Sequence, residues 1–143
     1  AACEKLSRRL GLEARVHFEG FVAPEQVRNA CQEAAVAVVS SVWPEPFGMA
    51  GIEAMRCGLP VIAFDVGGIG EWLIDHYNGY LVPLADVREF AGRLTQLLRD
   101  KELAREMGAN GKKLAAQRYD FGEYVDALEK SFARLLPTAG GPP

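Results

Sequence analysis

The sequence has little of what metal, disulfide or nucleic-acid chemistry requires. Its three cysteines, Cys3, Cys31 and Cys57, form neither a disulfide framework nor a zinc-ligand spacing. Unpaired cysteines fit a reducing, intracellular setting, so a cytoplasmic location is expected, with Cys31 and Cys57 as small core residues of helix-like segments. His17 and His76 are the only histidines, which argues against a histidine-rich metal centre. His17 alternates with Val16 and Phe18, where a solvent-facing or structural role is expected. A net charge of −3 gives no electrostatic basis for binding nucleic acid. Charges interrupt every long apolar segment, no run approaches a membrane span, and no signal-peptide pattern is visible. Internal repeats are absent.

What is present suits one soluble α/β domain. The 143 residues, 49% hydrophobic and 24% charged, are enough for a usable core. The pattern predicts a domain over residues 1–136 and a disordered Pro/Gly-rich tail over 137–143.

The most informative stretch runs from Ser40 to Glu71. A β-branched strand, Val36 to Ser41, leads into a turn with Pro44 and Pro46 flanking Glu45. A helix is predicted from about Met49 to Cys57, stopped by Gly58 and Pro60, and Val61 to Phe64 read as the next buried strand. Strand, loop, helix and strand make one βαβ unit, and such units bind ligands at the carboxyl ends of their strands.

The loop's backbone suggests its chemistry. Gly48 lets a ligand approach the main chain, and the first amides of the helix, Phe47 to Ala50, have no partner within it. With the helix dipole they form an anion site suited to a diphosphate. Glu45 and Glu53 would stand up to roughly 12 Å apart if the segment were fully helical. That exceeds the roughly 5–9.5 Å of paired glycosidase carboxylates, so the two read as gripping opposite ends of one extended ligand, such as a nucleotide-sugar. Two glutamates at this spacing arise easily by chance. The weight rests on the whole ordered string, including Gly58, Pro60, Gly67, Gly68 and Glu71.

On either side the chain alternates helices and strands. Leu6 and Leu10 mark a first helix, ended by Gly11. Arg15 to Val22 reads as a strand. Pro24 to Ala35 reads as a helix with Val27, Ala30, Cys31 and Ala34 as the stripe that packs on the sheet. Trp43 is either a stacking surface for a ligand or a lid on the core. Glu71 is expected to begin a short helix carrying Trp72, Leu73 and Ile74, and Asn78-Gly79 to turn into a last strand, Tyr80 to Val82. Three helices follow. Asp86 caps the first, which carries Val87, Phe90, Ala91, Leu94 and Leu97 at helical spacing. The second covers about Glu102 to Arg118, weakened by Gly108 and Gly111. The third covers about Phe121 to Leu136, with Phe121, Tyr124, Val125, Leu128 and Phe132 as a core face. Four strands alternating with helices imply a parallel sheet.

Glu45-Pro-Phe-Gly, Glu53-Ala-Met, Gly58-Leu-Pro-Val-Ile-Ala and Gly67-Gly with Glu71 resemble the retaining glycosyltransferases of family four, the glycosyl transferases group 1. The likeness runs from about Gly11 to Arg118. It implies a Rossmann-like parallel sheet with flanking helices, the incomplete C-terminal, donor-binding domain of a GT-B fold. It implies that Glu45 is the catalytic carboxylate and that Glu45 and the amides of Phe47, Gly48, Met49 and Ala50 hold the donor sugar and diphosphate. It further implies that Glu53 binds the ribose hydroxyls and that Gly67, Gly68 and Glu71 face the acceptor. Gly20, Phe21 and Val22 are candidates for the base side, with a plain core role as the alternative for Phe21 and Val22. No metal and no other cofactor is implied.

Two positions depart from the family pattern. Arg56 replaces a residue that is commonly small, and is either an exposed helix position or one facing the acceptor or a phosphate. Gly70 replaces a common proline. The family's two preceding strands, and the arginine–lysine pair that neutralises the diphosphate, have no counterpart here. The resemblance therefore implies a piece of a larger enzyme, with weak donor binding and little transfer alone, and with exposed edges that invite self-association or a rearranged packing. Its partners would be a nucleotide-sugar donor, a sugar, lipid-linked or small-molecule acceptor, and an N-terminal acceptor domain, but no nucleic acid. The parent would be cytoplasmic, or peripheral to the inner face of a membrane. The rival readings are a GT-B epimerase or phosphorylase, and a non-catalytic sugar-nucleotide binding module.

Overall fold

The structure, a computed structural model, describes residues 2–135. The expected tail over 137–143 and the end of the last helix at Leu136 lie outside the described residues. The chain divides into two compact units, Ala1–Ala30 and Cys31–Pro143.

In the first unit, α1 spans Ala2–Arg9. Gly11 ends it as expected. At φ +66° it donates to the Arg8 carbonyl while Leu12 donates to that of Ser7, which satisfies the last orphan carbonyls. The expected strand Arg15 to Val22 is not formed. The amides of Arg15 and Val16 turn back onto the Leu12 carbonyl at 2.9 Å, and no residue of the stretch joins a ladder. Strand-like residues without a pairing partner leave their backbone to water, which offers no reason to stay extended. Phe21 is fully exposed, which removes its core alternative, and Val22 is half-buried.

α2, Pro24–Glu33, begins with proline in its first turn as expected, and the Gln26 side chain accepts from the Ala23 amide at 2.9 Å. Its stripe is shallower than expected. Ala30 and Ala34 are exposed, Val27 is half-buried, and Cys31 packs on the core of the second unit.

The second unit holds a parallel sheet of three strands in the order β1 (Ala37–Val39), β2 (Val61–Phe64) and β3 (Gly79–Val82). Val38 pairs with Ile62, and Ile62 with Tyr80. All four residues of β2 are buried, as in a strand covered on both faces. α3 (Met49–Arg56) packs on β1 and β2, and α4 (Val87–Arg99) packs on β2 and β3. α5 (Lys101–Arg118) packs on α3, α4 and β3. The sheet has three strands rather than four because Arg15 to Val22 contributes none. Otherwise the α/β, Rossmann-like class is as expected.

Glycines set the closest approaches. A Cβ on Gly108 would lie 2.0 Å from the Gly58 carbonyl oxygen, and one on Gly111 would press on Met55. These two glycines do not weaken α5, which is continuous; they bring it against α3 and the turn after it. Gly79 likewise passes the Val61 carbonyl where a Cβ would be 1.8 Å away. Asp86 caps α4 by accepting from the Glu89 amide at 2.9 Å, as expected, and Asp100 caps α5 through the amides of Glu102 and Leu103. Phe90 and Leu97 of α4 are buried, but Val87 and Ala91 of its expected face are exposed.

α6, Phe121–Leu135, departs most from expectation. It buries no residue, and Phe121, Tyr124, Leu128 and Phe132 are exposed. Its apolar face has the right period, but among the described residues only Val125 of that face is even half-buried.

Candidate functional site

Two loops meet at the carboxyl end of the sheet, one after β1 and one after β2. The first passes Trp43, Pro44, Glu45, Pro46 and Phe47 to Gly48. Gly48 stands at the amino cap of α3 in the left-handed region, φ +78° and ψ +56°. A residue with a side chain would be strained there, and its Cβ would also meet Trp72 at 3.3 Å. No side chain caps α3. Its first turn, at Met49 and Ala50, is exposed, and Gly51 donates back to the Gly48 carbonyl at 3.0 Å. An uncapped helix start at a strand's carboxyl end presents amide hydrogens and partial positive charge to an anion.

The second loop locks onto the first. Gly67, at φ +55°, lies so close to Glu45 that a Cβ would stand 2.0 Å from its carbonyl oxygen. The Gly68 amide donates to that same carbonyl at 2.8 Å, and a Cβ on Gly68 would stand 2.3 Å from the Pro46 oxygen. The paired glycines are therefore required by this contact. The half-buried Glu45 carboxylate accepts from the Ser41 hydroxyl at 3.2 Å, which directs its side chain along the loop.

After Gly68 the chain makes a short 3-10 turn, Ile69–Glu71. Glu71 therefore closes a turn where it was expected to open a helix. The Ile74 amide is bonded to Asn78 Oδ1 at 2.7 Å, which draws the chain out of helical geometry. Trp72 and Leu73 are buried and Ile74 is partly exposed. The Trp72 ring fills the space left by Gly51, where a Cβ would stand 2.0 Å from it, and its indole N–H donates to the Phe47 carbonyl. Trp43 is exposed and so is no lid on the core.

The structure thus brings Glu45, Phe47, Gly48, Gly67, Gly68 and Glu71 into one pair of joined loops, with Met49 and Ala50 at the helix start that follows. Glu53 lies one turn further along α3, exposed. Burial pushes the Cys31 thiol above its ordinary pKa, with the Cys57 thiol and the Glu53 carboxylate adding to the shift. Cys31 and Cys57 are both half-buried. Gly20, Phe21 and Val22 belong to the first unit. Among the described residues no group of three or more His, Cys, Asp or Glu is placed to hold a metal ion. No helix among them is long and apolar enough to cross a membrane.

Three residues, Asn78, Arg56 and Tyr119, make contacts that the sequence does not show. Asn78 was legible only as a turn signal. Its side chain is completely buried, donating to the Trp72 carbonyl at 2.9 Å and reaching the Met55 sulfur at 3.5 Å. Arg56 is exposed, yet its guanidinium is engaged within the chain, donating to the Tyr119 carbonyl. Tyr119 packs its ring edge-on against Phe47 with centroids 5.7 Å apart. Only the three-dimensional contacts reveal these roles.

Comparison with known proteins adds to this geometry. The family model described as glycosyl transferases group 1 matches residues 1–114. A D-inositol 3-phosphate glycosyltransferase of Corynebacterium diphtheriae is 37% identical over 137 residues, covering 94% of this chain and 32% of that protein. The sucrose-phosphate synthase structure of Thermosynechococcus elongatus matches at a TM-score of 0.88 and 34% identity, covering 93% of this chain and 33% of its own. Anabaena HepE, solved in complex with UDP and glucose, matches at a TM-score of 0.87 and 29% identity, covering 93% and 36%. The chain spans about a third of the length of the relatives it matches.

Proposed function

The chain belongs to the glycosyl transferases group 1 family, and from that premise we propose that it is the donor-binding part of a retaining glycosyltransferase. The parent protein moves a hexose from a nucleoside-diphosphate sugar to an acceptor hydroxyl. The observation that carries the reading is the uncapped start of α3 behind left-handed Gly48, locked against the Gly67–Gly68 turn. HepE, bound to UDP and glucose, shares this fold at 29% identity, which supports a uridine nucleotide as the first probe.

In this reading the amides from Phe47 to Ala50 face the diphosphate. As the bond from the anomeric carbon to the diphosphate oxygen breaks, negative charge grows on the leaving group, and preorganised donors there stabilise it. Glu45 is held by Ser41 beside the sugar. Glu53, one turn along the same helix, takes the ribose hydroxyls. Gly67, Gly68 and Glu71 border the acceptor side. The group leaving is a nucleoside diphosphate, and the acceptor hydroxyl gives its proton to the departing diphosphate oxygen as the new bond forms on the same face of the sugar. No metal ion enters this scheme. The acceptor, a sugar, lipid-linked or small molecule, is bound by a separate domain of the parent.

Calorimetric titration of the chain with UDP, GDP, ADP and their sugar-linked forms tests the proposal. One nucleotide is expected to bind, and Glu53→Ala to weaken it about 10- to 100-fold, the worth of a hydrogen bond to a charged group. Absence of binding by a folded chain, or equal binding by Glu53→Ala, would sink the assignment.

A further inference from the structure

We propose that Tyr119, held by Arg56, is a positioning residue that ties the two site loops to the end of α5. Its consequence for ligand binding rests on the donor-site reading above; its structural half does not.

One side chain touches both loops. The Tyr119 ring meets Phe47 of the first loop, and its hydroxyl donates to the Glu71 carbonyl of the second at 3.4 Å. Phe47 immediately precedes Gly48, whose left-handed conformation aims the first amides of α3. Fixing Phe47 therefore fixes the direction in which those amides point. The Phe47 carbonyl is already held by the Trp72 indole, so Tyr119 supplies the second anchor, on the ring.

The anchor itself stands on a firm base. Tyr119 caps the carboxyl end of α5, with its amide donating to the Ala115 carbonyl at 3.0 Å. α5 is seated against α3 and the turn after it, with Gly108 on the Gly58 backbone, where a Cβ would not fit, and Gly111 close on Met55. The Tyr119 carbonyl belongs to the electronegative end of the helix, and the Arg56 guanidinium donates to it from the last turn of α3. A cation at that position both satisfies an orphan carbonyl and complements the dipole. A small residue in place of Arg56 could do neither. α3 thus carries the anion-facing amides at one end, and at the other the arginine that steadies the residue holding its own entry loop.

Binding energy is conserved when a loop is held in its bound form beforehand. Loss of Tyr119 should therefore loosen both loops without melting the sheet. The first test needs no ligand: hydrogen exchange of the amides of Gly51, Gly68, Glu71 and Trp72, compared with those of β2 and β3. In Tyr119→Ala the Gly51 amide of the first turn of α3 and the three second-loop amides are expected to exchange at least about tenfold faster while the strands keep their protection. Tyr119→Phe, which keeps the ring on Phe47 and loses only the hydroxyl, should accelerate Glu71 and Trp72 alone. Arg56→Ala should resemble Tyr119→Ala in weaker form, and Arg56→Lys should restore most of the protection. Unchanged exchange at both loops, or acceleration in loops and strands alike, overturns the proposal.

The second test titrates the same variants with UDP, GDP and ADP. Tyr119→Ala is expected to raise the Kd of whichever nucleotide binds the unaltered chain by about tenfold. Equal affinity in all variants, with loosened loops, would overturn the link to binding. If none of the three binds the unaltered chain, the donor reading fails, and the exchange pattern alone still decides whether Tyr119 tethers the loops.

Discussion

α5 and α6 follow one another in the chain, yet they use their apolar residues in opposite ways. α5 buries Ala104, Met107, Gly108, Gly111, Leu114 and Ala115, mostly small residues. α6 carries Phe121, Tyr124, Leu128 and Phe132, far larger side chains, and buries none of them. Side-chain size therefore does not decide which helix joins the core. Closeness of approach does. The glycines of α5 let its backbone reach the Gly58 turn and Met55, and Asn110 adds a bond to the Tyr77 carbonyl at 3.0 Å. α6 has the stronger apolar stripe and no such surface to meet among the described residues.

The most damaging way to break this contrast is Gly108→Ala. The new methyl would overlap the backbone of Gly58, which cannot move aside as a side chain can. A loss of about 4 kcal/mol or more is expected, seen as loss of cooperative thermal unfolding by circular dichroism. An intact melting transition would show that α5 can sit further out than the structure places it.

Asn78→Ala is a smaller perturbation on the same side of α5, where Gly111 faces the Asn78 Cβ. It leaves the part-buried Ile74 amide and the buried Trp72 carbonyl without their side-chain partner. A cost of about 1–3 kcal/mol is expected from denaturant unfolding, with the slope of the transition unchanged. No change in midpoint would mean that water replaces the amide.

Phe132→Ala, on α6, sharpens the contrast from the other side. Despite removing an aromatic ring, it is expected to shift stability by no more than about 0.5 kcal/mol, because the ring is 58% exposed. A loss of several kcal/mol in the same measurement would show that the stripe is covered in solution.

These contrasts explain what could be read from the residues. β2, β3 and α3 were legible because local signals agree with the packing: a β-branched run bounded by proline and glycine, and a helix stopped by Gly58. The Asp86 cap was legible because it acts over a few residues. Val36 to Ser41 shortened to Ala37–Val39 because the ladder with β2 extends no further. Arg15 to Val22 was misread because a strand is a property of two partners and the sequence shows one. Gly108 and Gly111 were read by helix propensity, whereas their role lies in contact with α3. In the candidate site, Glu45, Gly48, Gly67 and Gly68 were legible as a motif. The mutual fit that requires the glycines, and the part played by Tyr119 and Arg56, depend on segments far apart in the chain.

The order of the sheet, β1-β2-β3, is also the order of synthesis. Among the described residues, each strand pairs at the edge of the one before it in the chain. Each pairing closes one crossover, from β1 through α3 to β2 and from β2 through the Ile69–Glu71 turn to β3. The loops of the candidate site are themselves the joints of those crossovers. At the end of α5, Tyr119 touches both joints, its ring on Phe47 and its hydroxyl on the Glu71 carbonyl.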